Sequence, residues 1–127
     1  MKLKLPSADT GHGFKVWEYR VSHKQLLLRR PKATDLAKNL DVMFSNVQYM
    51  DLPSVLSDLE IEEPNQDDIA FAESRAGKAV KGNQVFVLKS NNRRHVIVAG
   101  DAVVRESSMG LFESPFTLPP VNIKPKK

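Results

Sequence analysis

Histidine is the side chain that most readily gives and takes protons near neutral pH, and the 127-residue sequence has three, His12, His23 and His95. No two of them have the spacing of helical metal ligands, so a metal site would need them to converge in space with carboxylates such as Asp101 or Glu18. His95 alternates with Ile97 in a run of β-branched residues, which reads as a half-buried strand histidine rather than a ligand. Ser22 and His23 are adjacent, but neighbours in a strand or tight turn point apart, so adjacency does not make a nucleophile and its base. The six glycines, at 11, 13, 77, 82, 100 and 110, form neither GxGxxG nor GxxxxGK[ST]. "GHG" at 11–13 reads as a flexible lead into the first strand. The carboxylates of "DLEIEE" form a solvated run with no apolar wall to shift a pKa. With no cysteine anywhere, disulfides, zinc–thiolate centres, iron–sulfur clusters and cysteine nucleophiles are excluded. The expectation is a protein that is not an enzyme, with no catalytic residue, no metal and no cofactor.

Two other groups of residues have the types that bind rather than react. Lys24, Arg29, Arg30 and Lys32 cluster after the first aromatic stretch, and Arg93 and Arg94 follow at a second turn. On one edge, Lys24, Arg29, Arg30, Arg93 and Arg94 would make a polyanion-binding set. Trp17, Tyr19 and Tyr49 could stack on bases beside them or line a small-ligand pocket. The plainer reading makes the aromatics sheet packing and the basic residues surface charge. The formal net charge of +4 hides a segregation: residues 51–73 hold eight of the fifteen acidic side chains and no Lys or Arg, leaving nineteen basic against seven acidic elsewhere. Such segregation favours association, within the chain or between two copies.

The elements that must position these residues follow from periodicity and turn chemistry. "FKVWEYRV" and "LLLRR", separated by "SHKQ" and stopped by Pro31, predict a hairpin. "LDVMFSNVQYMDL" (40–52) predicts a third strand with Met43, Val47 and Tyr49 on one face, and "LPSVLSDL" a helical turn capped by Asp51. Pro64, Asn65 and the acidic pair Asp67–Asp68 announce a helix over 66–80, with a stripe of Ile69, Ala72, Ala76 and Val80, closed by Gly82. "QVFVLKS" and "RRHVIVAG" flank Asn91–Asn92, which suits a tight hairpin turn. "DAVVRES" (101–107) extends the sheet, and a Pro-rich basic tail covers about 117–127.

Strands, one helix and then strands, without βαβ alternation, predict an α+β fold in one domain over 1–127: a mostly antiparallel sheet of about five strands, open or curled, with one covering helix. No secretory leader and no apolar run of membrane-spanning length is present, so a cytoplasmic protein without a membrane partner is expected. The stretches "FKVWEYRVSHKQLLLRR", "LDVMFSNVQYMDLP" and "LFESPF" together resemble small uncharacterised bacterial proteins of the kind carried on mobile, integron-type gene cassettes. That resemblance implies a bacterial cytosolic protein and brings no site residues. The leading expectation is a small interaction module forming a homodimer or binding another protein. Nucleic-acid binding by the basic set and ligand binding by the aromatic set are the alternatives.

Overall fold

The computed structural model describes residues 13–110 and 113–116. Its first two strands, β1 (Phe14–Arg20) and β2 (Gln25–Arg30), form the expected hairpin, closed by a turn in which Lys24 takes φ 51°. The chain then runs through β3 (Asn39–Ser45), β4 (Tyr49–Met50), β5 (Val55–Leu56) and β6 (Glu60–Glu62) to the helix α1 (Gln66–Ala76). Three further strands follow: β7 (Gln84–Ser90), β8 (Arg93–Ala99) and β9 (Asp101–Ser107). Asn91 and Asn92 both have positive φ, 51° and 63°, as a two-residue turn twisted to match its strands requires.

The fold is α+β and antiparallel, but the strands divide into two sheets rather than one. The five-stranded sheet has the order β5-β1-β2-β3-β9 and the four-stranded sheet the order β4-β8-β7-β6. Between them lies the core: Leu26, Leu28, Leu40, Val42 and Phe44 from one sheet meet Phe86, Leu88 and Ile97 from the other. Phe44 and Phe86 make an edge-to-face contact across it, ring centroids 5.3 Å apart. The chain passes from β8 to β9, and so between sheets, through Gly100, whose amide donates to the Ser45 carbonyl. A Cβ there would lie 3.3 Å from that of Asn46, so the crossing point has little room for a side chain.

α1 covers the outer face of the four-stranded sheet. Ala72 is fully buried against Val96 and Val98, with Phe71, Tyr49, Ala76, Val80 and Val85 around them. Its start is as expected: the Asn65 side chain accepts from the Asp68 amide while the Asp68 carboxylate accepts from the Asn65 amide. The end is earlier than expected. Gly77, at φ 59°, closes the α-helix, and a 3₁₀ turn over Gly77–Val80 completes the segment before Gly82.

Residues 40–52 also differ from the expected single strand. Asn46 adopts φ 55°, which stops β3 and swings the chain to the other sheet. Met43 therefore faces outward, Val47 enters the core and Tyr49 packs under the helix, so the three share no face. "LPSVLSDL" contains β5, paired with β1, in place of a helical turn. Phe14–Leu56 and Lys15–Val55 pairing, with the Val16 amide donating to the Ser54 carbonyl, satisfies backbone groups that a helical turn would leave unmade. The 117–127 tail, His12 and Gly11 lie outside the described residues.

Candidate functional site

The outward face of the five-stranded sheet holds a polar centre that the sequence does not announce. A β-bulge between Val16 and Glu18 inserts Trp17 as the extra residue of β1. An extra residue shifts the alternation, so the core side passes from even-numbered Phe14 to odd-numbered Tyr19. Tyr19 returns to the core side, while Trp17 lies over Arg29, whose guanidinium carbon is 5.5 Å from the indole centroid.

Arg29 is entirely buried, and so is its partner Asp41. Nε donates to Oδ1 at 2.7 Å and Nη2 to Oδ2 at 3.0 Å, a two-bond fork between neighbouring strands. The remaining nitrogen, Nη1, donates to the Glu113 carbonyl at 2.7 Å, while Nη2 also reaches the Met109 sulfur. Around this pair, neighbouring side chains hold the backbone at Ser108, Met109 and Phe116. Lys32 Nζ donates to Ser108 O, Asn39 Nδ2 to Met109 O and Arg20 Nη1 to Phe116 O. Asn39 Oδ1 accepts from the Lys32 amide, fixing the turn into β3. Chemically this is a clamp on a strap of chain: each cation is committed to a carboxylate or carbonyl.

A cleft of about 140 Å³ opens beside the clamp, lined by Trp17, Arg29, Pro31, Lys32 and Asn39. Ligand sites for drug-sized molecules run from about 300 to 1,000 Å³, so this cleft holds a few atoms at most.

A second charged cluster sits where the helix meets the four-stranded sheet. Arg94 Nη2 donates to Asp68 Oδ2 at 2.7 Å, and its other nitrogens reach Asp68 Oδ1 and Glu62. Lys89 lies 3.8 Å from Glu62. The hydrogen bond from Arg94, foremost, and that from the Asn65 amide hold the Asp68 carboxyl below the ordinary aspartate value, against the opposing effect of burial. The hydrogen bonds from Arg94 to Asp68, foremost, and to Glu62 push Arg94 further up. Two carboxylates of the acidic segment are thus neutralised within the chain.

The structure does not bring the candidate residues together as anticipated. Lys24 sits by Val47, at the Ala99 end of β8, since the Val47 amide donates to Lys24 O and the Gly100 amide to Ser45 O. Arg93 and Arg94 start β8 at its opposite end, a strand length of roughly 20 Å away. Arg29 has no exposure, and Arg30 is 6% exposed with Nη2 donating to Lys38 O. These five do not form one basic edge, because two lie inside the fold and the turns lie at opposite ends. Trp17, Tyr19 and Tyr49 likewise fall in three layers: outer face, core and helix–sheet interface. His95 is half-buried on the face of Ile97, as expected. Among the described residues, no group of three His, Asp or Glu side chains is placed to hold a metal.

Asp41, Asn39 and the strap carbonyls were not anticipated. One signal was present: Leu26, Leu27 and Leu28 in a row require cover on both faces of β2, and Arg29 continues that run.

β9 forms one rim of the five-stranded sheet. β9 pairs with β3 on one side, and among the described residues no strand pairs with the other. Val103 is 44% exposed on it, between exposed Asp101 and Arg105. No helix of the described residues is long and apolar enough to cross a membrane. No family model matches the chain, and no curated protein or solved structure matches it either.

Proposed function

We propose that the protein is a small, non-catalytic, cytoplasmic interaction module that self-associates. The observation that carries this reading is β9, a seven-residue strand with one edge unpaired among the described residues and an exposed apolar side chain at its third position. Unpaired edge N–H and C=O groups favour another strand, and a two-fold pair is the simplest way to provide one. The outer faces of the two sheets support the same reading, being occupied by the helix on one side and by the strap on the other. Charge segregation contributes less than the sequence suggests, since Glu62 and Asp68 spend their charge on Lys89 and Arg94.

Light scattering on the full chain, across concentration and salt, tests the proposal. A dimer that dissociates on dilution is expected. A monomer at every concentration and ionic strength overturns it.

A further inference from the structure

The residues of β9 that face outward read Asp101, Val103, Arg105, Ser107. Across β3 they stand opposite Ser45, Met43, Asp41 and Asn39. Asp41, opposite Arg105, is forked onto Arg29, and no ion pair joins it to Arg105 among the described residues. Neither Asp101 nor Arg105 has an ion pair among the described residues. Val103 lies between them as an exposed apolar residue on an edge strand, where a protective charge is the usual choice.

Charge on an edge normally repels a second strand, but an acid and a base two places either side of one residue make the edge complementary to itself. In antiparallel strands directly opposite residues share a face, so a two-fold pair that keeps both outer faces on one side must be centred on a residue. Centring on Arg105 sets two arginines together, and centring on Asp101 sets two aspartates together. Centring on Val104 places Val103 against Arg105 and leaves Asp101 opposite Ser107. Centring on Ala102 places Val103 against Asp101. Only centring on Val103 gives two acid–base pairs and one apolar pair, with Ala102 against Val104 continuing the core face.

We propose that two copies of this chain join edge to edge through β9, antiparallel, with Val103 against Val103 of the second copy and Asp101 against its Arg105. The two five-stranded sheets then become one continuous sheet. This inference rests on the self-association proposed above and adds the surface and register. Backbone hydrogen bonds and apolar contact supply the affinity, while the paired charges select the register.

The test is a pair of single charge reversals in the full chain, Asp101→Lys and Arg105→Glu, with folding checked by circular dichroism. Each alone sets like charges opposite one another twice, and its own dimer should weaken roughly tenfold. Mixed together, the two variants place lysine against glutamate and Arg105 against Asp101, so a heterodimer of nearly wild-type affinity should form. A wild-type dimer that neither variant weakens, or a mixture that restores nothing, overturns the β9 register while leaving self-association standing. A wild-type chain that is monomeric throughout removes both.

Discussion

Arg29 and Arg94 make the same bond in opposite surroundings. Each forks onto one aspartate, Asp41 or Asp68, and each makes a further bond to a third group. Arg29 and Asp41 have side chains 1% exposed, whereas the Arg94 side chain is 33% exposed. Arg94 keeps part of its hydration while Asp68, whose side chain is 9% exposed, has given up most of its own, so the second pair stands only partly in water. Within the sheet face the first pair has lost its hydration entirely, so each partner depends on the other. The comparison shows where charge is structural in this protein: the buried fork fixes the strap to the sheet, and the exposed one trims the join between helix and sheet.

The largest expected effect comes from breaking the buried fork. Asp41→Ala leaves a guanidinium inside the protein with only carbonyl, sulfur and indole contacts, and should cost roughly 3 to 5 kcal/mol. Chemical denaturation monitored by circular dichroism measures it. A loss below about 1 kcal/mol would mean that water or another acid reaches Arg29, and the contrast with Arg94 would collapse.

Next is Trp17, which covers Arg29 but is only half-buried. Trp17→Ala should cost roughly 2 kcal/mol, short of the ~3 to 5 of a fully buried aromatic. The full value would show that the indole carries core packing as well as the guanidinium. No change would place it outside the clamp. Denaturation midpoints of this variant and Asp41→Ala, alone and combined, show whether the two losses are coupled.

The smallest effect is expected at the exposed fork. Arg94→Gln should cost about 0.5 to 1 kcal/mol at neutral pH, and less in high salt, where Asp41→Ala should be nearly insensitive. Because Asp68 is held below its ordinary value of 3.8, its contribution is present above that pH. It is lost as pH falls through the lowered folded value, where the carboxylate takes up a proton. The stability difference between wild type and Arg94→Gln should therefore close in acid, below about pH 3.8. A difference that persists there would assign the effect to packing of the arginine stem.

Much of this was legible from local rules. The two hairpins, the Asn65 cap and the helix it starts, and the α+β class follow from alternation, turn residues and cap chemistry, which act within a few positions of chain. The candidate site was poorly legible. "LLLRR" reads as two surface arginines after three leucines until the strap and Asp41 are in place. Asp41 is twelve residues from Arg29, and Glu113 is eighty-four. The edge pattern Asp101–Val103–Arg105 was visible as letters, but its meaning depends on β9 ending a sheet, which is a matter of strand order.

By itself, the sequence determined the two hairpins, the strand at 101–107 and the start of the helix, because hydrogen-bonding period, side-chain alternation and cap chemistry are properties of short stretches; it did not determine β5, which replaces an expected helical turn, or β6. It determined too that the acidic and basic residues are segregated along the chain. Tertiary structure alone decided that the strands form two sheets, that Asn46 and Gly100 are two of the places where the chain changes sheet, and that a bulge turns Trp17 outward onto a buried arginine. Those outcomes depend on which distant strands meet, and that choice is set by burying both faces of β2 at once, a condition no local stretch of the chain can satisfy.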